Sequence, residues 1–491
     1  MTLKTKFNPC AFIFIIANFF LNPLAHAAPN TKLDWQPCDS KTTYNDWPIE
    51  NFADILECAT LEVPLNPNAT HSPSLELALT RLPAQSDQPI GNLLIIAGGP
   101  GEHSLDFLGI FNDLAEDSAL WHYFHIIGYA PRGISPSTPS LSCELEEDEE
   151  NNAKNLVNAC IKQSGKDLLA HIGTREAVTD IEAIRQALDE PQLSLLGYSY
   201  GTKVLTRYSE RYPSAIRAAI FDGVVNTSED YFSALITQEK GFQQTFERFV
   251  QYCYSQNNCP FSPNKNPNKS LHQLLTHIDE QQLEDNAGKP ISAEDVLFLM
   301  QDNLLWSYHW QDNIDLLNQL SQGKTKLYNE LNFLDSDDTD ESDTAYIDNS
   351  YIALFAINCT DDAPKNRNRR DYIAQSKIVD QASPYDNYAS LEDDDYLDTC
   401  FYWPTNGSDT PAAPKVSDQL PPLLFVAQRH DPTTPHHNAQ IMANFFHAPL
   451  ITREGDGHTL VFSGESSCVD DIALAYLIAP HIKINSQSCH D

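Results

Sequence analysis

The sequence is short of basic residues. Lysine and arginine number 31 against 68 aspartates and glutamates, a formal charge of −37 over 491 residues. A phosphate backbone is gripped by clustered Lys and Arg, so this balance argues against nucleic-acid binding. It argues equally against electrostatic attachment to anionic lipid. Metal-ligand spacing is missing too: there is no Cys-x-x-Cys pair and no His-Glu-x-x-His, so no metal and no cofactor are implied. Internal repeats are absent. The apolar stretch at 11–24 falls short of the roughly 20 residues a membrane-spanning helix needs, and Asn18, Asn22 and Pro23 interrupt it.

Apolar residues are plentiful, at 41% with 10% aromatics. That supports a real core and excludes wholesale disorder. Length alone suggests two or three structural units, or one large domain carrying an insertion. The first 27 residues read as an export signal: Lys4 and Lys6, then the short apolar stretch, then Ala25-His26-Ala27, which fits cleavage after Ala27. Cleavage would leave a chain two charges more negative, secreted or periplasmic, with no membrane span. Cys10 would leave with the signal. Ten cysteines remain, Cys38, Cys58, Cys143, Cys160, Cys253, Cys259, Cys359, Cys400, Cys468 and Cys489. An even number in an exported chain suggests disulfides. Sequence does not fix the pairing; nearest-neighbour pairing would close 38–58, 143–160, 253–259, 359–400 and 468–489.

Short apolar runs at 92–97, 124–129, 192–197 and 218–225 alternate with helical patterns at 174–188 and 202–212. The rhythm predicts an α/β fold: a mostly parallel sheet with helices on both faces. It stops near Thr227 and resumes at 422–427 and 449–452, with helices around 438–446 and 468–478. The organisation expected is a signal at 1–27, a first part of the core at 28–225, a mainly helical cap inserted at 226–420, and a second part of the core at 421–491. Acidic spacing at 334–348 invites a calcium-loop reading, but Thr339 and Asp340 stand where a ligand and a glycine belong. A solvated loop is the better reading, as it is for the acidic runs 144–150 and 392–395. Asn68 and Asn268 open Asn-x-Ser/Thr sites, relevant only in a glycosylating host.

Gly197-Tyr198-Ser199-Tyr200-Gly201 is a G-x-S-x-G motif between a predicted strand and a predicted helix. That is the setting in which a strained turn presents a nucleophilic serine. The backbone N–H of Tyr200 is one oxyanion donor. Gly98-Gly99-Pro100-Gly101 follows an earlier strand and supplies the second, assigned to Gly99. A serine hydroxyl is a weak nucleophile until a base takes its proton. The order Ser, acid, His then points to Asp431, after the strand PLLFVA, and to His458 in Gly457-His458. Asp222 and Asp456 are rival acids.

Taken together, GGPG at 98–101, GYSYGT at 197–202, DPTTP at 431–435 and Gly457-His458 resemble the proline iminopeptidase and tripeptidyl aminopeptidase family of α/β-hydrolases. AINCTD at 356–361, Cys400 with Trp403-Pro404, and Cys468 resemble landmarks of its secreted tripeptidyl-aminopeptidase-like branch. Two departures stand out. The family usually continues Gly-Gly after GGPG, where this chain has Glu102-His103, and its Asp-x-Arg-Gly-x-Gly stretch is here APRGIS at 130–135. The resemblance implies an α/β-hydrolase core and cleavage from free peptide N-termini, giving short peptides or single residues. An ammonium must then be held at a fixed distance from the nucleophile, which carboxylates in a covered pocket do well; candidates are Glu102, Glu239 and Asp361. A carboxylesterase or lipase on the same scaffold is the alternative, since fold does not settle substrate. A non-enzymatic binding protein would predict a broken triad, and here all three members are present in order.

Overall fold

The computed structural model describes residues 32–38, 55–106, 118–146, 149–331, 349–389 and 391–491. The signal reading at 1–27, Cys10 and the acidic loop at 334–348 lie outside them. Ten strands form one sheet: β1 (Gln36–Pro37), β2 (Glu57–Pro64), β3 (Ser74–Leu82), β4 (Gly91–Ile96), β5 (Phe124–Tyr129), β6 (Leu193–Tyr198), β7 (Ile216–Asp222), β8 (Leu424–His430), β9 (Leu450–Asp456) and β10 (Gln487–Cys489). Their order is β1-β2-β3-β5-β4-β6-β7-β8-β9-β10. All pairings from β5 to β10 are parallel, and only β1–β2, β2–β3 and β3–β5 are antiparallel. The chain is therefore an α/β protein with a mostly parallel sheet, as the alternating rhythm predicts.

The burial patterns give the reason. Every residue of β6 is buried, as are five of the six in β4, because helices cover both faces. Alternate residues of the central strands serve opposite faces. Leu94, Ile96 and Leu195 pack with the Thr174–Ala187, Tyr200–Arg211 and His436–Phe446 helices. Leu93, Ile95 and Leu196 pack with the Ala119–Tyr123 and Ser467–Ile478 helices. The strand β2, near the edge, alternates buried and exposed. That half-apolar pattern does not produce the continuous apolar run of a central strand, so β2 and β3 were not anticipated.

Between Asp222, where β7 ends, and Leu424, where β8 begins, the described residues add no strand to the sheet and are mostly helical. The Tyr231–Tyr254, Pro267–Gln281, Ala293–Leu304 and Trp310–Ser321 helices share a core of their own, with Phe246, Phe249, Leu275, Met300 and Leu317 at its centre. The first of these opens the segment at Tyr231. Asp230 caps it by accepting from the N–H of Ser233, and a cap needs no apolar period.

Five disulfides join the ten cysteines in nearest-neighbour fashion: Cys38–Cys58, Cys143–Cys160, Cys253–Cys259, Cys359–Cys400 and Cys468–Cys489. Among the described residues, no helix is long and apolar enough to cross a membrane.

Candidate active site

β4 lies between β5 and β6, so the chain leaves β4 for one side of the sheet and returns on the other. Such a switch point opens a crevice at the carboxyl ends of the strands. The candidate residues fall on loops there: 98–102 after β4, Ser199 after β6, Asp431 after β8 and His458 after β9.

Ser199 has φ 50° and ψ −119°, a conformation costly for a residue with a Cβ. The surroundings fix it. Its N–H donates to the Asp222 carbonyl at 2.8 Å, and its carbonyl accepts from the Thr202 N–H at 2.9 Å and from Thr202 Oγ1 at 2.6 Å. The flanking glycines are steric necessities: a Cβ on Gly201 would collide with the Ile96 carbonyl oxygen, and one on Gly197 would lie 2.7 Å from Leu205 Cδ1. Tyr200 opens the following helix, where backbone N–H groups have no partner within the helix. Gly99, at φ 88°, adopts a backbone that favours glycine.

Asp431 is buried and its oxygens are fully engaged. Oδ1 accepts from the N–H groups of Thr433 and Thr434 at 2.9 and 2.8 Å, and Oδ2 from Thr434 Oγ1 at 2.9 Å. His458 Nδ1 lies 3.0 and 2.9 Å from the two oxygens. With Nδ1–H donating to this carboxylate, Nε2 is left as the proton acceptor. Burial of His458 pushes its pKa down, but the Asp431 charge and hydrogen bond, joined by the charges of Asp222 and Glu102, outweigh burial and the net shift is upward.

The segment Asp222–Gly223 links Ser199 to the histidine. The Asp222 carbonyl holds the Ser199 N–H. A Cβ on Gly223 would stand 3.0 Å from His458 Cε1 and 2.8 Å from Thr459 Cγ2, so only glycine leaves the imidazole its space. Neither rival acid reaches His458 Nδ1 as Asp431 does. Asp222 Oδ2 accepts from the N–H groups of Leu460 and Val461 at 2.7 and 2.8 Å, anchoring the loop that carries the histidine. Burial raises its pKa to about 7. Asp456 pairs with Arg248.

The helical segment reaches this site at several points. Trp306 Nε1 donates to the His458 carbonyl at 3.2 Å. Gly241 allows the Tyr231–Tyr254 helix to lie directly on the Pro432 carbonyl. Gly101, at φ 112°, faces the start of the Ser350–Asp362 helix, where a Cβ would meet the Ser350 carbonyl oxygen at 2.6 Å and Ala353 Cβ at 2.9 Å. No sequence motif points to Trp306 or Gly241, because each acts across a long separation in the chain.

The three candidate amine anchors occupy different places. Asp361 is fully buried: its Oδ1 accepts from the Thr174 N–H at 2.8 Å, its Oδ2 from Thr174 Oγ1 at 2.5 Å, and Lys203 Nζ lies 3.4 Å away. This is a structural tie between the Ser350–Asp362 helix and the core, closed to a substrate amine. Glu239 lines a separate cavity of about 190 Å³ with Asp380, Ser383 and Asp386, none of it shared with the triad. Burial, then Asp386, raises its pKa to about 7. Glu102 lies beside Ser199. Its carboxylate accepts from the Gly98 N–H, and its charge interacts with His458, Asp106 and Asp302. The residue as a whole is exposed, but its carboxyl group lies among protein atoms, and that burial raises its pKa. The second departure is internal: Ala130 and Ser135, which stand where the family has Asp and Gly, are both buried. Arg132 is buried and forms two hydrogen bonds to Asp180, at 2.7 and 2.6 Å.

A family model described as the alpha/beta hydrolase fold matches residues 91–465. The chain is 31% identical to the serine protease Hip1 of Mycobacterium tuberculosis over 91% of its own length and 88% of that protein. It is 28% identical to carboxylesterase B of the same organism, over 88% of this chain and 86% of the other. It is 23% identical to the tripeptidyl aminopeptidase of Streptomyces lividans, over 95% and 88%.

Proposed function

The chain belongs to the α/β-hydrolase family, and on that footing we propose that it is an exported serine peptidase that cleaves from free peptide N-termini. The observation that carries the catalytic part is the His458–Asp431 pair at 2.9 Å, set at the same sheet edge as a serine held in a strained turn. In this reading His458 Nε2 takes the Ser199 proton as Oγ attacks the scissile carbonyl carbon. The oxyanion formed is held by the N–H groups of Gly99 and Tyr200. Collapse breaks the C–N bond, and His458 returns the proton to the leaving amine. Water then attacks the acyl-enzyme with His458 again as base, releasing the fragment and restoring Ser199.

The resemblance to a serine protease and a tripeptidyl aminopeptidase supports peptide substrates. The helical segment over the crevice supports limited access, as a cap would impose. Five disulfides among the described residues support export. The relative named a carboxylesterase favours the second reading, ester hydrolysis by the same acyl chemistry. Aminoacyl-coumarin amides and short nitrophenyl esters separate the two. We expect amide hydrolysis that falls by about 10⁴-fold or more in Ser199→Ala. Ester turnover without amide turnover would favour the esterase, and undiminished hydrolysis by Ser199→Ala would remove the catalytic assignment.

A further inference from the structure

We propose that Asp222, outside the triad, is a positioning residue of the reaction: its backbone holds the Ser199 turn, its side chain holds the strained turn that follows His458, and it thereby sets how the imidazole meets the serine hydroxyl. This deepens the catalytic reading above and rests on it, whether the substrate is an amide or an ester.

Thr459 and Phe462 have φ 51° and 62°. That left-handed region is costly for a residue with a Cβ, most of all for a β-branched threonine. Such a turn persists only where its surroundings hold it. Leu460 and Val461, between the two, give their N–H groups to Asp222 Oδ2 at 2.7 and 2.8 Å. The Val461 carbonyl accepts from the Tyr198 hydroxyl at 2.6 Å, and the Thr459 carbonyl from Gln428 Nε2 at 3.1 Å. Side chains from β6, β7 and β8 thus clamp the backbone beside His458.

Asp222 and Tyr198 are partners in the β6–β7 register, and Ser199 follows Tyr198. The Asp222 carbonyl accepts from the Ser199 N–H at 2.8 Å. Gly223, the next residue, runs against the imidazole, where a Cβ would stand 3.0 Å from His458 Cε1. One residue therefore braces both partners of the proton transfer. A misplacement of about 1 Å between such partners slows a reaction on the order of 100-fold.

The Asp222 side chain is fully buried, and its Oδ1 has no hydrogen-bond partner among the described residues. A carboxyl group is costly to bury, and here its two N–H bonds and its interaction with His458 offset that cost. The charged groups facing it are His458, which favours its ionised form, and Asp431, which opposes it. Ionised Asp222 in turn favours the imidazolium that forms as Ser199 loses its proton.

The test uses the full-length protein with whichever coumarin amide or nitrophenyl ester it hydrolyses best. Rates are taken per active site, counted by exhaustive labelling with a fluorophosphonate. Asp222→Ala should lower kcat by about 100-fold, leave KM within about threefold, and move the acid limb of kcat/KM to lower pH. Asp222→Asn keeps an oxygen that can accept both N–H groups. It should recover about tenfold of that loss, while its limb still moves to lower pH. Tyr198→Phe removes a second clamp and no charge, so it should lower kcat by about tenfold with the limb in place. A merely structural role would lower the melting temperature and the number of labelled sites, with kcat per site and the limb unchanged. That result would overturn the proposal, as would equal losses in Asp222→Ala and Asp222→Asn. If Asp222→Ala does not fold, Asp222→Asn and Tyr198→Phe decide the matter by the same readouts. Undiminished hydrolysis by Ser199→Ala would instead overturn the catalytic reading beneath it.

Discussion

In the proposed reaction His458 must be neutral to accept the Ser199 proton, so its pKa sets the acid limb of the rate profile. Asp431 foremost, with Asp222 and Glu102, holds that pKa above the ordinary 6.5 despite burial. In the wild type kcat/KM should therefore rise with pH through a midpoint above 6.5. Asp431→Asn removes the charge that favours the imidazolium, so the limb should move to lower pH. Because the histidine tautomer is no longer fixed, kcat should also fall by about 10⁴-fold. Initial rates across pH check both, and a limb at the same pH in the two proteins would contradict the assignment of Asp431. These three residues were legible in sequence because each follows a strand in a recognisable order. Asp222 was legible only as a rival acid. Its contacts to the Leu460 and Val461 N–H groups depend on a loop far along the chain, which no local pattern encodes.

Among the elements, the Ser350–Asp362 helix joins the site to the core. Its start packs on Gly101, Asp361 ties it to Thr174, and Lys203 Nζ donates to Asp362 at 2.7 Å. Cys359 in its last turns bonds Cys400 across a separation of 41 residues. Loop closure of that length stabilises by about 4 kcal/mol in the chain-entropy account. Replacing both cysteines by serine should lower unfolding stability by roughly that amount and depress kcat/KM through a loosened wall at Gly101. Urea unfolding followed by tryptophan fluorescence checks the first and steady-state rates the second; unchanged values in both would remove the helix from the account. The central parallel strands were readable as continuous apolar runs because both their faces are covered. β2 and β3 were not, since half their residues meet solvent or a polar edge and the apolar signal is halved. The mainly helical character expected of 226–420 includes the Tyr231–Tyr254 helix, which Asp230 caps.

At the scale of the chain, the length that first suggests several units resolves, among the described residues, into one ten-stranded sheet interrupted between Asp222 and Leu424. The acidic balance says nothing about fold, but it suits an enzyme whose substrates carry a cationic end. In the proposed reading the enzyme cuts at the free N-terminus of a peptide because the helical segment limits access to the crevice, and that is the central claim. The most direct measurement is a timed digest of one defined peptide and its N-acetyl form, with products identified by mass spectrometry. The account predicts stepwise shortening of the free peptide from its N-terminal end and an intact acetylated peptide. Internal cuts, or loss of the acetylated peptide at the same rate, would contradict it.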